Sequence, residues 1–197
     1  MKNIIAIDFE FIEDGRTIEP ISVGLARIDG RKYYAVFEEF NPSKASPWVK
    51  ENVIAKLPPR ITSDYDSPRI REESLAWKST ERIRLDILSF VGKETPEFWG
   101  NYCAHDFVLL GRVMGTREQP DWISRAVDWL GGKRHPKAFN PMVESYPDGW
   151  PYFINDIQAF RVYLGKPDKI LPPQVENHIS IEDAAWVLEA REFLIGG

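Results

Sequence analysis

The sequence contains very little cysteine: Cys103 is the single one among 197 residues. A lone cysteine excludes both an internal disulfide framework and a cysteine-rich zinc site. No apolar run reaches the roughly 18 residues that a membrane-spanning helix needs, and no basic segment leads into a long apolar stretch at the start. We therefore expect a cytoplasmic protein in a reducing compartment.

Positive charge is also scarce, since 25 Lys and Arg stand against 30 Asp and Glu and the net charge is −5. This balance argues against a protein that binds long nucleic-acid duplexes through counterion release. It leaves open a protein that holds a few nucleotides through bound metal ions, because such ions invert the local charge. Apolar residues make up 43% and charged residues 28%, which is typical of a globular chain. We predict a single domain over residues 1–197.

The hydrophobic pattern predicts an α/β domain. Three strands come first, at 3–11, 17–28 and 32–40, and the turn signal Asp29-Gly30 joins the last two as an antiparallel hairpin. Two further strands are expected at 97–101 and 152–156. Helices are expected in six segments: 42–57, 79–91, 104–114, 122–130, 157–164 and 181–194.

Two carboxylates interrupt the first predicted strand. Side chains alternate between the faces of a strand, so Asp8 and Glu10 share one face with Ile4 and Ala6. Two like charges beside each other in a buried strand are costly, and hard cations such as Mg²⁺ or Mn²⁺ would remove that cost. The alternative is a strand end that emerges into solvent.

A third acid, Asp106, lies on the apolar side of a predicted helix. Its neighbours three, four and seven residues on are Leu109, Leu110 and Val113, so its side chain is expected to face the interior. A metal ligand fits this position. So does an ordinary first-turn acid that complements the helix dipole.

A fourth acid, Asp183, begins the last predicted helix and also faces its apolar side, with Trp186 and Val187 three and four residues on. His178 precedes it in an extended segment, from which its side chain could lie close to a ligand bound by Asp183. The alternative is structural, because Ser180 and Asp183 together come close to a helix capping box.

The order and spacing of these residues resemble the DEDDh 3′-5′ exonucleases of the ribonuclease H-like superfamily. The three motifs are Asp8-Phe9-Glu10 as D-x-E, Asn101 with Asp106 in NYCAHD, and His178 with Asp183 in HISIEDA. The stretches DFEFIEDGRTIEPISVGLARIDGRKYYAVFEEF and WKSTERIRLDILSFV bear a closer resemblance to the polyadenylate-preferring 3′-exoribonucleases of mycobacteria, the ribonuclease AS family. The segment 117–150 does not match that family.

The resemblance implies a ribonuclease H-like fold with a central mixed sheet of five strands flanked by helices. It implies two divalent cations, Mg²⁺ or Mn²⁺, held by four ligands: Asp8, Glu10, Asp106 and Asp183. His178 would activate the water that attacks the phosphodiester. The expected activity is removal of nucleoside 5′-monophosphates from the 3′ end of single-stranded RNA or an RNA overhang. The resemblance also implies a homodimer.

Two departures from the family pattern, Phe11 in place of Thr and Ser180 in place of Ala, bear on substrate contacts and not on metal ligands. A DNA proofreading-type exonuclease or an oligoribonuclease would carry the same motifs, since a metal site reads the phosphate and not the sugar. A catalytically silent RNA-binding module would not need all five residues. An acidic interaction domain with no ligand would have to bury Asp8, Glu10 and Asp106 without compensation.

Several other residues have both a functional and a structural interpretation. Asp156 is expected to cap the helix that follows it. Phe11 is expected in the core, whereas Tyr102 is open to either interpretation: both could stack on a terminal base. The cationic segment 131–137 could contact RNA phosphates or a second subunit, or form a solvated loop.

Overall fold

A computed structural model describes residues 2–61, 68, 74–115, 146–167, 170–174 and 178–196. The predicted helix 122–130 and the cationic segment 131–137 lie outside these residues. Within them, six strands form one mixed sheet in the order β4-β3-β2-β1-β5-β6. The strands are β1 (Asn3–Glu13), β2 (Ile18–Arg27), β3 (Lys32–Phe37), β4 (Trp77–Lys78), β5 (Pro96–Gly100) and β6 (Asn155–Asp156).

The predicted sheet differs from the observed one at its edges. The first three strands are antiparallel, as expected, and β5 runs parallel to β1. The expected count of five strands is wrong, because β4 pairs with β3 as a sixth strand. A two-residue strand is too short to produce a recognisable alternation, so the sequence pattern could not indicate it.

The described helices are α1 (Pro47–Asn52), α2 (Thr80–Val91), α3 (Ala104–Met114), α4 (Ile157–Tyr163) and α5 (Ser180–Gly196), with 3₁₀ turns at Pro42–Lys44, Ile54–Lys56 and Ser74–Ala76. The segment 42–57, expected as one helix, is divided into three. Ser46 begins α1 as an N-cap that accepts a hydrogen bond from the Val49 amide, and Pro47 occupies the first turn. Since a proline cannot continue a preceding helix, the chain restarts at Ser46.

The two faces of β1 pack against different helices. Ile5, Ile7 and Phe9 lie in a buried cluster with side chains of α2 and α3. Ile4 and Ala6 lie on the other face, in a cluster with α5 residues that include Ala184. Asp8 and Glu10 continue this second face toward the end of the strand, so they project on the side that α5 covers.

No helix in the described ranges is long and apolar enough to cross a membrane.

Candidate metal centre

The candidate site lies on β1, just beyond the end of its pairing with β5 at Ala6. Asp8 pairs across the sheet with Gly24 and Glu10 with Ser22, and a β-bulge follows between Glu10 and Phe11. The side chain of Glu10 is only 12% exposed. Bulges redirect side chains at the ends of sheets. The two carboxylates therefore stand just before a bulge within the pairing of β1 with β2, which continues to Glu13, and they do not emerge into solvent.

Helix α5 comes close enough to β2 to deliver Asp183 to this point. A Cβ atom on Gly24 would lie 2.3 Å from the backbone carbonyl oxygen of Ser180, so only a glycine permits this approach. The hydroxyl oxygens of Ser22 and Ser180 are 3.1 Å apart and buried. Ser180 is 0% exposed, so its departure from the family pattern affects helix packing and not a substrate-facing surface.

Three of the predicted acids form a tight group. Carboxylate oxygens of Asp8, Glu10 and Asp183 all lie within 4.8 Å of one another, an arrangement that could hold a metal ion. Asp183 is tethered at both oxygens: Oδ1 accepts from the side-chain amide of Gln174, and Oδ2 accepts from the backbone N–H of His178 at 2.8 Å. These tethers fix the carboxylate within a polar cluster.

Asp106 borders the same cavity from α3 but stands outside the tight group. It is 5% exposed, and its Oδ1 accepts a hydrogen bond of 2.8 Å from the backbone N–H of Phe9. This bond joins the first turn of α3 to β1 between the two strand acids. One oxygen of Asp106 therefore fixes the position of this helix relative to β1.

Burial raises the pKa of all four carboxyl groups, and repulsion by neighbouring carboxylates adds to the rise for Asp8, Glu10 and Asp106. Burial, followed by the charges of Asp106, Glu10 and Asp183, raises the pKa of Asp8 well above its usual value. The pKa of Glu10 rises to about 8 because of burial and then the charge of Asp183. Burial also raises the pKa of Asp106 to about 7 and that of Asp183. A concentration of like charges in a cleft is typical of a functional site.

His178 lies at the edge of the acidic group, as the sequence predicts. Its backbone is in the left-handed region, with φ of 66°, and its amide is held by Asp183. Its Nδ1 is 4.0 Å from Oε1 of Glu10, and its side chain is 39% exposed. The imidazole is thus beside the carboxylates and open to solvent, where it can exchange protons with water.

An open cavity of about 600 Å³ gives access to these groups. Tyr102 lines it and is 74% exposed, so its ring is available for stacking. Phe11 also lines the cavity, but it packs against the core and its ring lies 5.1 Å from that of His105. Asn101, the first residue of the second motif, accepts a hydrogen bond from the side chain of Gln158.

Asp156 is the helix cap that the sequence predicts. Its Oδ1 accepts hydrogen bonds of 2.9 Å from the backbone amides of Gln158 and Ala159. Its Oδ2 accepts from the backbone N–H of Cys103 at 3.0 Å. Asp156 therefore ties the start of α4 to the turn before α3.

Three residues of the site were not identified from the sequence: Gln174, Trp48 and Gly24. Gln174 lies between the predicted helices 157–164 and 181–194, and no local pattern indicates that its amide reaches Asp183. Trp48 is on α1 and its ring contacts His178. Gly24 reads as an ordinary strand residue, because its requirement comes from a helix far along the chain.

Comparison with known proteins gives two curated relatives, both named 3′-5′ exoribonuclease, from Mycobacterium tuberculosis strains H37Rv and CDC 1551 / Oshkosh. Each is 42% identical over 111 residues, which cover 55% of this chain and 59% of the relative. The chain thus spans less than two thirds of these relatives' length. No protein-family model matches it. The resemblance to mycobacterial 3′-exoribonucleases that the sequence motifs indicated is confirmed over these 111 residues.

Solved structures of exonuclease I share the fold. One has a TM-score of 0.54 and 12% identity, covering 99% of this chain and 41% of its own. The zinc-bound complex of the E. coli enzyme with single-stranded DNA has the same TM-score and identity, covering 99% of this chain and 40% of its own. The ribonuclease H-like fold predicted from the sequence is confirmed by this likeness.

Proposed function

We propose that this chain is a metal-dependent 3′→5′ exoribonuclease that releases nucleoside 5′-monophosphates from RNA 3′ ends. The observation that carries the proposal is the group formed by Asp8, Glu10 and Asp183, whose oxygens approach within 4.8 Å inside an open cavity. Like charges at this distance need compensation. Divalent cations supply it, and a phosphodiester is the substrate that such cations activate.

The donor set fits hard divalent cations. It consists of carboxylate oxygens, which suit Mg²⁺ and Mn²⁺, and the one cysteine near the site does not enter the group. The raised pKa of Glu10 also supports cation binding, because a proton and a cation compete for the oxygens of a crowded carboxylate. We propose two ions, with Asp106 joining the tight group as a fourth ligand.

Bound cations would stabilise the developing phosphate charge and lower the pKa of the attacking water. The residues of the chain divide the remaining work. Asp8, Glu10, Asp106 and Asp183 bind the ions, and the tethers from Gln174 and the His178 amide orient Asp183. His178 accepts the proton from the water at a free ring nitrogen, a role suited to imidazole at neutral pH.

We propose RNA as the substrate because both curated relatives are named exoribonucleases. The motif resemblance adds a preference for adenylate-rich 3′ ends. Single-stranded binding is supported by the fold, since exonuclease I has been solved with single-stranded oligonucleotides. The exposed ring of Tyr102 beside the cavity is available for stacking on an unpaired base. A homodimer, a single domain and a cytoplasmic location remain predictions.

The test is an end-directed nuclease assay. Purified protein with Mg²⁺ or Mn²⁺ is incubated with 5′-labelled oligomers of A, C and U, as RNA and as DNA. We expect mononucleotide release from RNA that begins at the 3′ end, is fastest for A, and is absent after a 3′-phosphate block. Asp8→Asn is the control for a contaminating nuclease. Faster release from DNA would indicate a proofreading-type exonuclease, and RNA binding without hydrolysis would indicate a silent module.

A further inference from the structure

Trp48 is a large aromatic residue in an unusual place. It lies on the short helix α1, lines the acidic cavity and is 53% exposed. Its ring centroid is 4.7 Å from that of His178, with 84° between the two planes. This edge-to-face geometry is one of the favourable arrangements for aromatic rings. The side chain therefore contacts the imidazole directly.

The backbone of His178 is fixed independently of its ring. The amide donates to Asp183 at 2.8 Å, and φ is 66°. Neither ring nitrogen makes a hydrogen bond to any residue that the structure describes, and Nδ1 remains 4.0 Å from the nearest Glu10 oxygen. General bases are normally oriented by a partner, because proton transfer needs a defined geometry. Among the described residues, Trp48 is the one whose ring contacts the imidazole of His178.

Helix α1 holds Trp48 firmly enough to act as such a partner. Ser46 caps the helix at the Val49 amide, and the side-chain amide of Asn52 donates to the Trp48 carbonyl at 2.9 Å. Val49 packs against a buried cluster that includes Val53, which is 2% exposed. The indole is thus exposed, while helix α1 contacts the core through the side chain of Val49.

We propose that Trp48 is a positioning residue for His178: its indole holds the imidazole beside the carboxylate group so that the ring can take a proton from water there. This inference rests on the proposed nuclease function. It assigns Trp48 an effect on turnover that acts through His178, and not a contact with the nucleobase.

The kinetic test compares Trp48→Ala, Trp48→Phe, His178→Ala and the double variant Trp48→Ala/His178→Ala on an RNA oligomer. We expect Trp48→Ala to lower kcat about 10- to 100-fold with KM little changed, since small misplacements of a catalytic group cost that much. Trp48→Phe should restore most of the loss. In the His178→Ala background, Trp48→Ala should cost nothing further, because the two side chains act as one unit.

Two outcomes would overturn the assignment. One is a rise in KM of similar size in both backgrounds, which would mean that Trp48 stacks on the substrate. The other is an unchanged kcat for Trp48→Ala. Tyr163→Ala is the matched control, because Tyr163 is 85% exposed and does not line the cavity. That control should keep wild-type kinetics.

A spectroscopic measurement separates this inference from the nuclease proposal. The chain has three histidines, so the ring-proton signals of His178 can be assigned by their loss in His178→Ala. In the metal-free protein, Trp48→Ala should move these signals toward the values of free histidine, and Tyr163→Ala should not. Unmoved signals would refute the ring contact. A wild-type protein without nuclease activity would instead refute the proposed function.

Discussion

Replacing Glu10 by Gln should make the metal-free protein more stable, and the gain should grow with pH. Glu10 has an ordinary pKa of 4.5 and a folded-state pKa of about 8, raised by burial and then by Asp183. The folded state therefore binds this proton more tightly than the unfolded state does. This tighter proton binding contributes to the free energy of unfolding. The contribution is fully present below pH 4.5 and is lost as the pH rises through 8.

The size of the effect follows from the two pKa values. Glu10 ionises more readily in the unfolded chain than in the folded protein. The free energy of unfolding should therefore lie below its low-pH value by about 4 kcal/mol at pH 8 and by about 1 kcal/mol at pH 5. Glutamine has the same shape and cannot ionise, so Glu10→Gln removes this cost. The advantage of the variant should widen by about 3 kcal/mol between pH 5 and pH 8, or roughly 6–12 °C in Tm.

Urea unfolding in EDTA at pH 5 and pH 8 measures this difference. Glu192→Gln is the control, because it removes one carboxylate from the exposed side of α5. Parallel loss of stability in wild type and Glu10→Gln over this pH range would refute the view that Glu10 is crowded and buried in the metal-free site. Added Mn²⁺ should stabilise wild type far more than Glu10→Gln, since the cation takes the place of the proton.

Three further predictions concern the remaining parts of the site. His178→Ala should lower turnover by about 10²–10⁴-fold without loss of fold, checked by kinetics and circular dichroism; unchanged turnover would remove it as the base. Gly24→Ala should destabilise the protein by about 2–3 kcal/mol and weaken Mn²⁺-induced stabilisation, because it displaces the helix that carries Asp183. The control is Gly196→Ala, where an added Cβ meets nothing within 4 Å, and equal stability of the two variants would contradict this packing. Cys103 should resist alkylation at pH 8 until urea unfolds the protein, because burial raises the pKa of its thiol; rapid native-state labelling would contradict this.

The sequence predicts those parts of the site that depend on local periodicity. Alternation along β1 places Asp8 and Glu10 on one face, and helical spacing places Asp106 and Asp183 on buried sides. The helix α3 was predicted with its observed bounds, Ala104–Met114, because its apolar spacing is regular. In these cases the short-range pattern and the tertiary environment agree.

Contacts between distant segments could not be predicted in this way. The need for glycine at position 24 arises from the backbone of Ser180, and the partner of Asp183 is Gln174 from a segment without regular structure. The ring contact between Trp48 and His178 joins residues 130 positions apart. None of these partners leaves a periodic signal, since each depends on the path of the chain between them.

The four acids are positioned by interactions that are independent of one another. The register of β1 places Asp8 and Glu10, whereas a backbone amide of that strand holds Asp106. Asp183 depends on the close packing of α5 on β2 and on its tethers. Removing one carboxylate therefore relieves repulsion without removing what places the others, so isosteric variants should separate metal binding from folding. Displacing α5 should disturb both together, which makes the comparison of Glu10→Gln with Gly24→Ala a direct test of how the site is built.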